Sequence, residues 1–362
     1  MPPDRRGERQ AALRVALESE GLDALLVTHL PNIRYLTGFT GSAALLLVRP
    51  DATLLITDFR YAVQAPEEAG QSALVEVDQK NVWERLGKLL SAAPAGALGI
   101  EAHTLTVRDA ERVGALTRGR VLPTSDLVER LRVTKSPEEI EAIRAAAELA
   151  QEALAEVLPS VRVGQTERAV GAALEAALRR RGSEWHPFPT IVASGPRSAL
   201  PHARTGERPI GAGEWLLLDF GAQVDGYCAD LTRTVVVGGR ADERQRAVYE
   251  LVRSAQQRAL EHLRPGMTGR EGDALARDVI ASRGFGEAFG HSLGHGLGLE
   301  VHEAPRLAPT AEAVLPVGAV VTVEPGIYLP GWGGVRLEDD VHLGPDGAVL
   351  LSDGRTELVE AG

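Results

Sequence analysis

Five side chains restrict the folds open to this chain: Asp219, Asp230, His295, Glu324 and Glu338, each beside an apolar run or a glycine- and proline-rich turn. Asp219 closes WLLLDFG, and Asp230 follows in DGYCADLTRT across a turn expected at Gln223 to Gly226. WLLLD and TRTVVV read as adjacent antiparallel strands. Glu324 and Glu338 repeat the arrangement at the two ends of EPGIYLPGWGGVRLE, and His295 stands in HSLGHGLG. Two acid-bearing strand pairs can face each other across one cleft. So many converging carboxylates are tolerable only where cations neutralise them. Carboxylate oxygens with one imidazole suit hard or borderline divalent ions, so the set reads as a two-metal hydrolase site.

His291 and His295 have helical i, i+4 spacing, but Gly290, Gly294, Gly296 and Gly298 make a helix poor there, so the segment is expected to be loop or strand. The HExxH pattern of helical zinc sites is absent. Arg336 lies two residues before Glu338, on the same strand face, where a guanidinium can fork onto a ligand carboxylate or onto a substrate's C-terminus. A Tyr227 hydroxyl in the turn before Asp230 could orient that acid or a substrate amine, and Cys228 reads as small packing close to the site.

A domain boundary is expected near residue 130, giving domains 1–130 and 131–362. The first alternates helical patterns around 5–20, 80–92 and 106–117 with the strand-like runs ALLVTH, AALLLV, TLLIT, ALVEV and ALGIE, which makes it a mixed α/β domain. The second opens on the strongest helix start in the chain: Ser136 as N-cap, Pro137 in the first turn and Glu139 completing a capping box. Ile140, Ile143, Ala147, Ala150, Leu154 and Val157 continue it as one apolar stripe.

At 362 residues the chain can bury two cores. Its apolar runs are far shorter than the ~20 residues of a bilayer span, and MPPDRRGERQ leads into no signal-peptide core. With a single cysteine no intrachain disulfide can form, so a reducing, cytoplasmic setting is expected. A formal charge of −11 opposes binding to nucleic-acid phosphates.

The segments LLLDFGAQVDGYCADLTRT, HSLGHGLGLEVHEAP, VEPGIYLPGWGGVRLEDD and the upstream PHA at Pro201 to Ala203 resemble the pita-bread metallopeptidases, in the Xaa-Pro peptidase branch of prolidases and aminopeptidases P. The resemblance spans the chain and is most specific over its final two-thirds. Creatinase-like relatives lack this ligand set, and methionine aminopeptidases lack the large N-terminal domain. It implies a creatinase N-terminal-like α/β domain followed by an α+β pita-bread catalytic domain. It implies two divalent ions, manganese first and cobalt or zinc as alternatives, on Asp219, Asp230, His295, Glu324 and Glu338. Glu324 would also act as general base. His302 and His202 would polarise the scissile carbonyl, with His291 lining the cleft. It further implies a homodimer in which PNIRYLTGFTG or TDFRYAVQ reaches a neighbouring cleft. The expected activity is cleavage of Xaa-Pro dipeptides, with Arg336 as leading anchor for the proline carboxylate and Arg34, Arg60 and His202 in reserve. An aminopeptidase acting on longer peptides is the alternative, and a catalytically silent binding module is the competing class.

Overall fold

The computed structural model describes residues 5–362, which divide into two compact units after Arg132. In the first, β1 (Ala24–Val27), β2 (Ala44–Val48), β3 (Thr53–Asp58), β4 (Leu74–Asp78), β5 (Ala97–Glu101) and β6 (Arg120–Thr124) form one sheet in the order β4-β3-β2-β1-β5-β6. The β1–β2 and β2–β3 pairs are antiparallel, whereas β4, β5 and β6 join in parallel. Six helices accompany it: α1 (Arg6–Ser19), α2 (Leu30–Thr37), α3 (Gln64–Ala69), α4 (Val82–Ala92), α5 (Val107–Leu116) and α6 (Glu129–Arg132).

The strand sequences are apolar runs rather than alternations because both sheet faces are covered. Leu26, Leu47 and Ile56 pack with Leu86 and Leu90 of α4 and Val113 of α5, and the intervening Leu25, Leu46 and Leu55 are equally buried. Asn81 and Thr106 cap α4 and α5 by accepting backbone N–H bonds. Sequence periodicity anticipates five of these strands. The sixth, RVLPT, is masked by Pro123, which an edge strand such as β6 accommodates.

The second unit repeats one plan twice. In its first half α7 (Pro137–Val157) and α8 (Glu167–Arg181) cover a sheet that contains β7 (Ile191–Ser194), β8 (Glu214–Phe220) and β11 (Leu231–Val237), and a separate small hairpin of β9 (Gln223–Val224) and β10 (Tyr227–Cys228) links β8 to β11. In the second half α9 (Glu243–His262) and α10 (Gly269–Ser282) cover β12 (Gly294–Gly296), β13 (Glu303–Leu307), β14 (Val320–Val323), β17 (Asp339–Gly344) and β18 (Gly347–Leu350). Between β14 and β17 a hairpin of β15 (Gly326–Leu329) and β16 (Gly333–Arg336) projects separately, and β19 (Glu360–Ala361) returns to β11. The sheets run β19-β11-β8-β7 and β13-β12-β14-β17-β18. A bridge between Thr232 and Glu338 stitches the halves together.

The start of α7 follows its sequence signature. Ser136 Oγ accepts from the Glu139 N–H, and the Glu139 carboxylate accepts from the Ser136 N–H. Ile143, Ala147, Ala150 and Val157 are buried along one stripe, while Ile140 and Leu154 lie at its margin. Tyr227 departs from expectation: its hydroxyl donates to Glu139 at 2.7 Å, so it clamps the start of α7 rather than orienting Asp230. Cys228 is buried with Ile143, Leu297, Val320 and Leu351, in keeping with a packing role.

Candidate metal centre

The two halves present their acids at matching places. Asp219 lies near the end of β8, opposite Thr232 of β11, and Asp230 immediately precedes β11. The reversal between them is a tight turn with Asp225 and Gly226 both at positive φ (49° and 77°), the geometry of a two-residue hairpin loop. Glu324 follows β14, and Glu338 sits between β16 and β17, so the β15–β16 hairpin brings the second pair of acids back to one end of its sheet. Thr232 fixes Glu338 twice: its hydroxyl donates to Glu338 Oε2 at 2.6 Å and its carbonyl accepts the Glu338 N–H at 3.1 Å.

His295 comes from a strand because the glycines around it are steric necessities. A Cβ on Gly294 would lie 2.0 Å from the Thr322 carbonyl oxygen, and one on Gly296 would lie 2.2 Å from that of Ala304. The His295 Nδ1 lies 3.1 Å from the Gly296 carbonyl. That contact requires the proton on Nδ1 and leaves the Nε2 lone pair facing Glu324 Oε1 at 3.6 Å and Asp230 Oδ2 at 3.8 Å. An imidazole lone pair turned toward two carboxylates is the arrangement a cation would join, and the carbonyl beside Nδ1 is the customary outer partner of a ligating histidine.

The electrostatics lead to the same place. Burial, and after it the charges of neighbouring acids, pushes Asp230 and Glu324 well above the usual carboxylate range. Glu338 is pushed up to about 7 by burial and then by Asp219. Burial, and then the nearby charge of His302, brings His295 down to about 4, so it is neutral near pH 7 and able to ligate. Asp230 Oδ1 is buried without a hydrogen-bond partner, a deficit of about 1–3 kcal/mol or more for such a group. Donor atoms of Asp230, His295 and Glu338 lie within 4.8 Å of one another. Divalent cations would satisfy the orphaned oxygen and remove the mutual repulsion, so the residues present fit a metal centre.

Three further groups belong to the assembly although the sequence did not single them out. Asp340 is fully buried, accepts the Asp230 N–H at 3.1 Å through Oδ2 and leaves Oδ1 without a partner. Tyr328 places its hydroxyl 2.8 Å from His291 Nε2 and 2.9 Å from Arg336 Nη1. Thr232 braces both Glu338 and Arg336. The tyrosine stands in EPGIY and the aspartate in LEDD, but their partners are distant in sequence and no periodicity announces them.

Arg336 is buried, with Nη2 on Asp219, Nη1 on Tyr328 and Pro201 O, and Nε on Thr232. Of the two carboxylates expected for it, the guanidinium takes the acid of the centre. His291 is held by Tyr328 on one nitrogen and by Ser292 O on the other. His302 is exposed and packs its ring 4.3 Å from that of His295, while His202 stands exposed on the loop after the Gly195–Ala199 turn. Both lie near enough to Asp219 for a positive charge on either imidazole to favour its ionised form. Beside His291 lies a cavity of about 370 Å³ lined by Arg277, Ser292, Arg306 and Thr310 among others.

Comparison with known proteins places this geometry. Residues 141–345 match the model of metallopeptidase family M24, and residues 9–134 match the creatinase/prolidase N-terminal domain. The chain is 37% identical over 354 residues to an Xaa-Pro dipeptidase of Pyrococcus furiosus, covering 97% of this chain and 99% of that one. The structure of an Xaa-Pro dipeptidase from Bacillus anthracis superposes with a TM-score of 0.95 at 40% identity, over 98% of this chain and 99% of that one. That of an X-Pro aminopeptidase from Thermotoga maritima superposes with a TM-score of 0.88 at 37% identity, over 94% and 98%. The two-domain pita-bread architecture expected from the sequence is the architecture found.

Proposed function

Because this chain belongs to metallopeptidase family M24, we propose that it hydrolyses the peptide bond preceding proline and acts as an Xaa-Pro dipeptidase. The observation that carries the reading is the convergence of three buried carboxylates, Asp219, Asp230 and Glu338, with the partly buried Glu324 and with His295, whose Nδ1 faces the Gly296 carbonyl. Asp219, Asp230, His295, Glu324 and Glu338 would hold two divalent cations, manganese by preference with cobalt or zinc as substitutes, which when bound supply a Lewis acid for the scissile carbonyl and make the attacking water more acidic. Glu324 takes the proton from that water and passes it toward the leaving proline nitrogen. His302 and His202, at the exposed rim, donate hydrogen bonds to the oxyanion as it develops. Tyr328 and Ser292 O hold His291 in one orientation, and Arg336 aims Asp219 and opposes the burial that pushes its carboxyl upward.

A dipeptidase needs a cation for the proline carboxylate, and four of the five N–H donors of the buried Arg336 are engaged by protein groups. Arg306 fits that need better: it is exposed, lines the cavity beside His291, and its charge is felt by His295 and His302. The N-terminal domain, residues 1–130, is proposed to mediate a homodimer. The likeness to the Thermotoga maritima X-Pro aminopeptidase favours a second reading, cleavage of longer peptides. The two separate on kcat/KM for Ala-Pro, Ala-Pro-Ala and a longer Xaa-Pro peptide. The dipeptide should be preferred, and Arg306→Ala should raise KM for Ala-Pro more than it lowers kcat. Equal or better cleavage of the longer peptides would overturn the dipeptidase reading while leaving the Xaa-Pro reading in place.

A further inference from the structure

The N-terminal unit contains a second cluster of metal-ligating side chains that the reaction does not use. His29 caps the start of α2, His103 lies in the turn after β5, and Glu129 opens α6. Glu129 Oε1 lies 3.1 Å from His103 Nε2 and 3.8 Å from His29 Nδ1, and one donor atom from each of the three residues lies within 4.8 Å of the others. In a tetrahedral zinc site with bonds of roughly 2.0–2.1 Å, neighbouring ligand atoms are about 3.3 Å apart. The two contacts to Glu129 straddle that value. The imidazoles meet edge to face, 86° apart with centroids at 5.4 Å, and the His103 ring is partly exposed.

The cluster rests on a rigid polar base. Asn32, fully buried, donates from its amide nitrogen to Glu129 and to Glu101 Oε1, while its amide oxygen accepts from Arg132 at 2.7 Å. Glu101, also buried, accepts the N–H groups of Thr28 and His29 at 2.6 and 2.8 Å. The carboxylate ligand and the backbone of one histidine therefore hang from the same hydrogen-bonded network, the kind of outer support that orients metal ligands.

From this geometry we infer that His29, His103 and Glu129 form a zinc-binding site, separate from the catalytic centre, which ties the start of α2, the turn after β5 and α6 together. Two imidazoles and one carboxylate favour a borderline ion such as zinc, whereas the four carboxylates and one imidazole of the catalytic centre favour a harder ion such as manganese.

The full-length, manganese-loaded protein is dialysed against micromolar zinc and its zinc content compared with that of the His103→Asn/Glu129→Gln variant. The wild type should retain one zinc per chain more than the variant. Zinc should also raise the thermal midpoint of the wild type and not that of the variant, while the two midpoints in chelator stay alike. Equal zinc content overturns the inference, leaving the cluster a histidine–carboxylate ion pair. Should the variant fold poorly, an anomalous difference map of wild-type crystals soaked in zinc decides the matter: a peak between the three side chains supports the site, and its absence there overturns it.

Discussion

At the scale of single residues, neighbouring side chains of the candidate metal centre are proposed to take unlike roles. Glu338 is braced by Thr232 and faces the other acids, so Glu338→Ala should lose both metal ions and nearly all turnover, whereas Cys228→Ala should keep its metal content; elemental analysis of the two variants checks this. His302→Ala and His202→Ala should keep their metals and their fold, yet lose on the order of 10²–10³ in kcat, the usual effect of removing an oxyanion donor. A His302→Ala protein with wild-type turnover would end that assignment. The five acid and imidazole positions were legible in the sequence because each adjoins an apolar strand and a turn, which fixes where the side chain emerges. Asp340 and Tyr328 were not, because what distinguishes them is a contact made only after folding: Asp340 meets the Asp230 N–H, and Tyr328 joins His291 to Arg336.

At the scale of elements, local signals and tertiary constraint contribute unequally. The capping box at Ser136 was readable from the sequence because every partner lies within four residues, and Ser136→Ala should cost about 1 kcal/mol in urea unfolding. The third partner of that box, Tyr227, is not legible in the sequence because α7 and β10 meet only in the folded unit. The strand carrying His295 was expected only as "loop or strand", since the close approach of Thr322 O and Ala304 O that demands its glycines is a tertiary fact. Near the start of β8, Arg208 donates to both oxygens of Glu214 at 2.7 and 2.6 Å. The hydrogen bond from Arg208, opposed by burial and aided by the Gly211 N–H, holds the Glu214 carboxyl below its ordinary 4.5. A depressed carboxyl stabilises fully above the unfolded value and loses that contribution as pH falls through the folded one. Arg208→Ala should therefore cost roughly 0.2–1 kcal/mol at neutral pH, for a pair about a quarter to a third exposed. The wild-type and variant stability curves should converge below about pH 4.5; a gap that persists at lower pH would mean that packing, not the ion pair, is responsible.

At the scale of the whole molecule, two compact units divide the work: all five proposed ligands lie in the second, after Arg132. The mixed sheet of the first unit was largely legible as a succession of apolar runs, but their spatial order β4-β3-β2-β1-β5-β6 was not, because order is decided by which edges remain open rather than by any one strand. A homodimer is expected, and light scattering that gives a monomer at assay concentration would remove that part of the account. The central claim is that the acids of the second unit work only as holders of two cations. Its most direct measurement is Ala-Pro hydrolysis by chelator-treated protein titrated with manganese. Turnover should be absent at the start and rise until two ions per chain are bound, with no such rise in Glu338→Ala. Full activity in the metal-stripped protein, or saturation without manganese uptake, would contradict it.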